Sequence, residues 1–165
     1  MKVISKQRNS RMCFICGMDN PIGLHAQFYN MEDGSVMTPL CFSEEHQSFP
    51  GRVHGGLVAT VLDEMGLRAL WTDGKEEQFG VTMSFDVKFR KPVPYGETLF
   101  GQGKVVRETS KFFVIDTRIL DQYGKTLANG EVRYIKLDAN VISDGIKPHE
   151  EMCYLIEDDV RELGI

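Results

Sequence analysis

The apolar residues follow a helical period in one long segment near the middle of the chain and a strand period in the segments after it. From Leu57 to Leu70 they recur at helical spacing and cover most of the helix circumference. The positions are Leu57, Val58, Val61, Leu62, Met65, Ala69 and Leu70. This pattern predicts a long helix that other structure encloses, rather than one lying on a surface.

Strict alternation begins at Phe79. The apolar members are Phe79, Val81, Met83, Phe85, Val87 and Phe89, with Gly80, Thr82, Ser84, Asp86, Lys88 and Arg90 between them. Alternation of this length predicts a strand with one buried face. Further β-like runs lie at about 98–108, 111–120 and 126–137, and two more, 24–31 and 35–42, precede the helix. Asp33-Gly34 between those two predicts a hairpin, in which Pro39 marks an edge strand or a bulge.

These elements predict an α+β fold in which an antiparallel sheet of five to six strands wraps around one long central helix. The chain of 165 residues suits one principal domain. We assign residues 23–140 to that domain. Residues 1–22 form an N-terminal extension, and residues 141–165 form a partly helical C-terminal tail.

Composition excludes several classes of partner. The formal net charge of -5 argues against a general nucleic-acid binder, which usually carries a basic surplus. No apolar stretch approaches the roughly 18 residues of a membrane span, and no apolar segment follows the basic N-terminus as in a signal peptide. We therefore expect a cytoplasmic protein that binds neither nucleic acid nor membrane.

Cys13 and Cys16 have the two-residue spacing of half a zinc site, but a structural zinc site needs four ligands. Cys41 and His46 could complete the set, although nothing in their spacing demands it. A tight turn with two small, partly buried side chains is the simpler interpretation. We therefore predict no metal and no cofactor.

The start of the predicted helix carries the first candidate chemistry. Gly55 and Gly56 follow His54 and leave the backbone bare where the first N–H groups of a helix have no internal partner. The helix dipole adds positive potential there, so this turn can hold an anion or a developing oxyanion. Close packing of the helix against the sheet explains the two glycines equally well.

Two consecutive carboxylates, Asp63 and Glu64, lie within this helix. Glu64 has Arg68 four residues on, which predicts a helix-surface ion pair rather than a catalytic group. Asp63 has no charged neighbour three or four residues away, and an unpaired carboxylate in an apolar helix is costly unless it is used. We interpret Asp63 as a candidate general base. The alternative is a solvent-facing aspartate in a gap of the sheet.

The helix geometry separates these two features. Asp63 comes nine positions after His54, which at about 1.5 Å per residue is roughly 13 Å along the axis. One reacting carbon cannot contact both groups within a single helix. If both act, they come from two copies of the chain, so catalysis at this helix predicts a dimer.

These residues carry a family resemblance. The run HGGLVATVLDE, residues 54–64, resembles the signature of hotdog-fold acyl-CoA thioesterases, in the branch of the phenylacetate-pathway type and the thioesterase-superfamily members. HQSFPG at 46–51, KPVPYGE at 91–97, CFICG at 13–17 and NPIGL at 20–24 are similar to the same branch. The resemblance covers about residues 13–137.

The resemblance implies a homodimer, often paired again into a tetramer, that hydrolyses an acyl-CoA thioester to free acid and CoA. By position, Asp63 matches the helix carboxylate that activates water or attacks the thioester. Gly55 matches the backbone donor to the thioester carbonyl, and His54 the residue that shapes the loop. Thr82 falls where the family often places a hydroxyl that could orient the water.

The chain departs from the family at one position. Some members have an asparagine six residues before the histidine, where this chain has Ser48, with Gln47 beside it. Either side chain could hydrogen-bond a carbonyl or a water, so we include both among the catalytic candidates.

CoA binding would depend on cations and on the glycine turn. Lys88, Arg90 and Lys91 are the best cluster for the CoA phosphates, and Gly56 is the further candidate for substrate binding. CoA is part of the substrate here, not a cofactor. Two other functions stay open: a non-catalytic acyl-CoA binding or sensing protein, and a hotdog dehydratase or hydratase.

Overall fold

The computed structural model describes residues 1–72, 74, 78–142 and 148–164. Nine strands and three α-helices follow in chain order over this part of the chain, with one short 3-10 helix at Glu44–His46. The strands are β1 (Val3–Lys6), β2 (Tyr29–Met31), β3 (Val36–Leu40), β4 (Gln47–Phe49), β5 (Arg52–Val53), β6 (Phe79–Phe89), β7 (Leu99–Glu108), β8 (Phe112–Asp121) and β9 (Thr126–Leu137). The helices are α1 (Gly55–Leu70), α2 (Ala139–Ile142) and α3 (Pro148–Glu151).

Seven of these strands form one antiparallel sheet in the order β1-β2-β3-β7-β8-β9-β6. The four long strands begin and end within one residue of the predicted runs. Their alternating patterns favour β pairing, and the short turns between β7, β8 and β9 make chain neighbours pair as hairpins. The remaining two strands, β4 and β5, form a small separate ribbon just before α1.

The long helix α1 packs against the sheet, as the hotdog expectation requires. Its buried apolar residues are Val58, Val61, Leu62, Met65, Ala69 and Leu70. The approach is close at β7, because a Cβ on Gly103 would lie 2.4 Å from the carbonyl oxygen of Met65. The helix is not enclosed on every side, since Gly56 and Thr60 are exposed. The predicted α+β class and central helix are confirmed.

The sheet has one strand more than the predicted five to six, and the extra strand comes from the N-terminus. β1 pairs with β2, from Val3↔Met31 to Lys6↔Tyr29. The short run of β1 carries no clear alternation, so only its pairing partner reveals it. In the C-terminal tail, Tyr154 bridges to Asn9 and Glu162 to Lys2, which places that tail beside the N-terminal residues. Residues 143–147 and 165 of the predicted tail lie outside the described residues.

A bulge in β6 changes the predicted assignment of its faces. The register with β9 shifts between Thr82 and Ser84, so Met83 is the extra residue. The unbroken alternation predicted Thr82 on one face with Asp86, Lys88 and Arg90. The bulge instead turns Thr82 toward α1, the side on which Phe85 and Val87 pack into the core.

In the part of the chain that the structure describes, β6 is an edge strand of the main sheet and pairs only with β9. Three apolar side chains are exposed along it: Val81 at 37%, Met83 at 57% and Phe89 at 56%. An exposed apolar edge strand is a ready site for pairing with another strand. No helix in the described part of the chain is long and apolar enough to cross a membrane.

Candidate active site

Asp63 projects from the middle of α1 toward β6 and β9, where two hydroxyl groups hold it. The Thr82 hydroxyl donates to Asp63 Oδ1 at 2.8 Å. The Tyr134 hydroxyl lies against the Asp63 backbone carbonyl and 3.1 Å from the same Oδ1. Both side-chain contacts go to one oxygen, which leaves Oδ2 for another partner such as water. In the part of the chain that the structure describes, Asp63 is therefore oriented by neutral donors and has no cation paired with it.

Tyr134 was not among the site residues predicted from the sequence. It is 3% exposed and its ring stacks on Phe113 at a centroid distance of 4.9 Å. Burial, reinforced by the negative charge of Asp63, raises the pKa of Tyr134, so the phenol keeps its proton and donates. A tyrosine in an alternating strand is typical of the core, and nothing local signals a hydroxyl aimed at a helix 71 positions away.

Gly66, one turn after Asp63, makes room for this tyrosine. A Cβ at Gly66 would lie 2.6 Å from both Cε2 and the hydroxyl oxygen of Tyr134. The absence of a side chain thus lets the Tyr134 ring pass beside the helix and reach Asp63. This requirement explains a glycine in a helix interior, where it costs about 1 kcal/mol relative to alanine.

The sequence predicted two unpaired backbone N–H groups at the N-terminus of α1, those of Gly55 and Gly56. Among the described residues, only one of them lacks an acceptor. His54 is the N-cap residue, and its Nδ1 accepts from the Gly56 N–H at 2.9 Å. Gly56 therefore uses its donor within the protein, which argues against the predicted substrate contact through that N–H. The Gly55 N–H precedes the first helical hydrogen bond and has no acceptor among the described residues.

A cleft of about 340 Å³ lies beside this helix end. Its lining residues are Val53, Gly55, Val58, Phe89, Arg90, Lys91, Pro92 and Val93. The structure thus brings Gly55 together with two of the three predicted CoA-binding cations. Lys88 is not part of this lining, and its ammonium lies 3.8 Å from Asp86 on its own strand.

Lys91 has a second cation beside it. A hydrogen bond between the side chains of Lys91 and Lys125, together with the positive charge of Lys125, lowers the pKa of Lys91. Two exposed ammonium groups that repel one another favour binding of an anion between them. Lys125 was not among the predicted residues, because it lies 34 positions further along the chain, immediately before β9.

Gln47 and Ser48 lie on β4, and both are exposed. Neither lines the cleft or contacts Asp63 in the part of the chain that the structure describes. The ribbon of β4 and β5 is itself held at its turn, where the Gly51 N–H donates to the Tyr95 hydroxyl at 3.0 Å. The two catalytic candidates from this ribbon remain predictions.

The two halves of the candidate site are therefore separate within one protomer. Gly55 and the cations line the cleft at the start of α1. Asp63 lies eight residues after Gly55 on the same helix and contacts Thr82 and Tyr134. At about 1.5 Å per residue, this separation is roughly 12 Å along the helix. One thioester carbon cannot lie against both groups of the same chain.

Glu64 and Arg68 form the predicted ion pair, but it is buried and not at the surface. Arg68 Nε lies 2.8 Å from Glu64 Oε1, and the arginine side chain is 1% exposed. The N-terminal segment covers it, since the Arg8 carbonyl accepts from Arg68 Nη1 at 2.8 Å. The Phe28 ring lies 4.4 Å from the guanidinium carbon. Packing of Arg8 and Phe28 against Arg68 thus buries an ion pair that the sequence alone placed at the surface.

The Cys13–Cys16 turn lies against this ion pair. Cys13, Cys16 and Glu64 place two sulfur atoms and one carboxylate oxygen within 4.8 Å of one another. Cys41 and His46, the partners considered from the sequence, are not part of this group. The hydrogen bond from Cys13, aided by the positive charge of Arg68, lowers the pKa of Cys16 to about 6. The matching hydrogen bond, together with burial and Glu64, raises the pKa of Cys13.

Comparison with known proteins supports the family resemblance. The model of the thioesterase superfamily matches residues 50–128. Human acyl-coenzyme A thioesterase 13 is 30% identical over 95 residues, which cover 58% of this chain and 56% of the human protein. The chain thus matches little more than half the length of that relative.

Solved structures show the same fold. A crystal structure of a thioesterase superfamily protein is 25% identical, with a TM-score of 0.70, over 76% of this chain and 60% of its own. A hypothetical thioesterase of Streptococcus pneumoniae, crystallised with coenzyme A, is 19% identical, with a TM-score of 0.61, over 68% of this chain and 86% of its own. The resemblance to the hotdog thioesterase superfamily is therefore confirmed.

Proposed function

We propose that this protein hydrolyses an acyl-CoA thioester to the free acid and CoA, at a site formed between two copies of the chain. The observation that carries the proposal is the pairing of Asp63 with two hydroxyl donors, separated from the free Gly55 N–H along the same helix. The thioesterase relatives support this class of reaction.

A second copy of the chain would bring the two halves together. The exposed apolar edge of β6, with Val81 and Met83, supports pairing with a second β6 strand into a continuous sheet. The two α1 helices would then run antiparallel, so that Asp63 of one protomer faces Gly55 of its partner. We propose a homodimer as the working unit, with a dimer of dimers as the larger assembly.

Substrate binding would use the cleft at the start of α1. Arg90 and Lys91 line it, and Lys125 lies beside Lys91, so its rim suits the phosphates of CoA. The pneumococcal neighbour crystallised with coenzyme A supports binding of this ligand. The thioester carbonyl would accept from the Gly55 N–H, where the helix dipole stabilises negative charge. The predicted cytoplasmic location agrees with a substrate of this kind.

The arrangement around Asp63 favours general-base catalysis. Oδ1 is held by Thr82 and Tyr134, so Oδ2 can take a proton from water as the water oxygen attacks the thioester carbon. The Gly55 N–H stabilises the oxyanion of the tetrahedral intermediate, which collapses to the acid and releases the CoA thiolate. Direct attack by Asp63 through an anhydride would use the same carboxylate.

Asp63→Asn tests this proposal. We expect hydrolysis of acetyl-, phenylacetyl- and palmitoyl-CoA, measured as thiol release, to fall by about 100-fold or more for whichever substrates the wild type accepts. Asn at this position can still accept from Thr82 and Tyr134, so fold and assembly should persist. Asp116→Asn is the matched control, because Asp116 is a surface carboxylate paired with Arg118 on β8. Wild-type turnover by Asp63→Asn would overturn the mechanism.

A non-catalytic acyl-CoA binding protein is the second candidate. The exposed position of Gln47 and Ser48 favours it, because neither contacts Asp63 or lines the cleft. This candidate predicts that calorimetry detects acyl-CoA binding to the wild type while no thiol is released. Turnover by the wild type excludes it.

A further inference from the structure

A second cluster of reactive side chains lies beside α1, outside the proposed active site. Two sulfur atoms and one carboxylate oxygen, from Cys13, Cys16 and Glu64, lie within 4.8 Å of one another. Cys13 Sγ is 3.9 Å from Glu64 Oε2. Cys16 is 1% exposed, whereas Cys13 is half-buried. We propose that these three side chains bind a divalent metal ion of the zinc class.

Each sulfur has a hydrogen-bond donor of the kind that supports a thiolate. The Ile15 N–H donates to Cys13 Sγ at 3.4 Å. The Ser10 hydroxyl lies 3.2 Å from Cys16 Sγ. Its oxygen already accepts from the Cys13 N–H at 3.1 Å, so its own proton is free to point at Cys16. Donors beyond the ligands orient and stabilise metal-bound thiolates.

The third donor is oriented by the buried arginine. Arg68 Nε binds Glu64 Oε1 at 2.8 Å, which leaves Oε2 directed at Cys13. The guanidinium is itself fixed between the Phe28 and Trp71 rings, at 4.4 and 4.9 Å from their centroids. Glu64 therefore presents one oxygen in a fixed position, so little ordering would be needed when an ion binds.

The charges of the cluster balance when a divalent ion is present. Glu64 and Arg68 already neutralise each other. With an M²⁺ ion bound, both cysteines are thiolates, and their two negative charges cancel the charge of the ion. No net charge is left buried, so the cost of burying an isolated ion is avoided.

The donor set selects the kind of metal. Two thiolates and one carboxylate suit Zn²⁺, whereas Mg²⁺ and Ca²⁺ prefer oxygen ligands alone. Three protein donors leave one position of a tetrahedral ion for water. The ion would tie the N-terminal loop to α1 at the residue after Asp63, so it would brace the helix that carries the proposed reaction.

Metal binding by the reduced full-length protein tests the proposal. After chelator treatment and dialysis, the protein is titrated with Co²⁺ and then with Zn²⁺. We expect one equivalent of Co²⁺ with thiolate-to-cobalt charge-transfer absorption, displaced by one equivalent of Zn²⁺, and a higher melting temperature with metal. Cys13→Ser and Cys16→Ser should abolish the absorption. Ser10→Ala should weaken binding by about 10- to 100-fold.

Two controls separate this site from other thiols and from the active site. A Cys41→Ser/Cys153→Ser double variant removes the two exposed cysteines and should bind metal as the wild type does. Asp63→Asn should also bind normally, so a failed hydrolysis proposal would leave this one standing. Absence of metal binding by the reduced wild type, or its persistence in Cys13→Ser and Cys16→Ser, would overturn it. A Cys13–Cys16 disulfide formed with glutathione disulfide, in protein that binds no metal when reduced, would replace it with a redox pair.

Discussion

Asp63 and Glu64 are consecutive carboxylates on one helix, but their surroundings have little in common. Glu64 is paired with the buried guanidinium of Arg68, under a cover of N-terminal residues. Among the described residues, the Asp63 carboxylate is bound by the neutral hydroxyls of Thr82 and Tyr134, on the side of the exposed edge strand β6. Under the proposed function, one helix carries both a structural charge at Glu64 and the candidate general base at Asp63. A cation fixes the first, while neutral donors orient the second and leave its negative charge available.

The largest effect expected from breaking this contrast is on stability. Glu64→Gln removes the charge that compensates Arg68, and an uncompensated buried charge costs about 3–5 kcal/mol. Asp63→Asn is the matched neighbour and should change the free energy of unfolding by less than about 1 kcal/mol. Urea denaturation with a chelator present measures both without a contribution from metal. Equal destabilisation by the two variants would contradict the proposed division of roles.

Gly66→Ala should destabilise the protein although alanine favours helix. The new Cβ would lie 2.6 Å from the Tyr134 ring and hydroxyl oxygen. Overpacking of this kind costs about 1–3 kcal/mol, against about 1 kcal/mol gained from helix propensity. Thiol release should fall as well, because Tyr134 must move from Asp63. A gain in melting temperature would show that the space beside Gly66 is not needed.

Tyr134→Phe removes a donor to Asp63 while keeping the ring stacked on Phe113. We expect a loss of about 1 kcal/mol in the free energy of unfolding, typical of one hydrogen bond. Hydrolysis should fall about tenfold in kcat, equivalent to about 1.4 kcal/mol, because the base is less well oriented. Unchanged kcat with reduced stability would limit Tyr134 to a structural role.

The smallest effect on stability is expected at Thr82, which is exposed in the single protomer. Thr82→Val keeps the shape and removes the hydroxyl that donates to Asp63 at 2.8 Å. The free energy of unfolding should change by less than about 0.5 kcal/mol, while kcat falls severalfold. Thr82→Ser restores the hydroxyl and should recover the rate. If Ser does not rescue, the methyl group rather than the hydroxyl matters.

Much of the fold could be predicted because its signals are local. The alternation from Phe79 to Phe89 and the spacing from Leu57 to Leu70 are written in neighbouring residues. β1 escaped prediction because a four-residue strand has too short a pattern, and only pairing with β2 defines it. The Met83 bulge escaped for a related reason, since it is a property of the register with β9.

The candidate site was partly readable for the same reason. Asp63 stood out as a carboxylate without a charged neighbour three or four residues away on its helix. Gly55 stood out as one of two consecutive glycines at the start of that helix, where backbone N–H groups have no partner within the helix. Thr82 entered only through the family resemblance, and the structure places its hydroxyl on Asp63. Tyr134 and Lys125 could not be found, because their relevance depends on contacts with Asp63 and Lys91 across long stretches of chain.

The sequence by itself determined which segments form the helix and the long strands, because periodicity is set by neighbouring residues. It also marked the charged and glycine positions where chemistry was to be sought. Only the tertiary structure decided that the Glu64–Arg68 pair is buried, since that depends on the N-terminal segment covering Arg68. It also decided that Cys13 and Cys16 lie against Glu64, 51 positions beyond Cys13. Contacts at such distances arise from the packing of whole elements, and no local pattern encodes them.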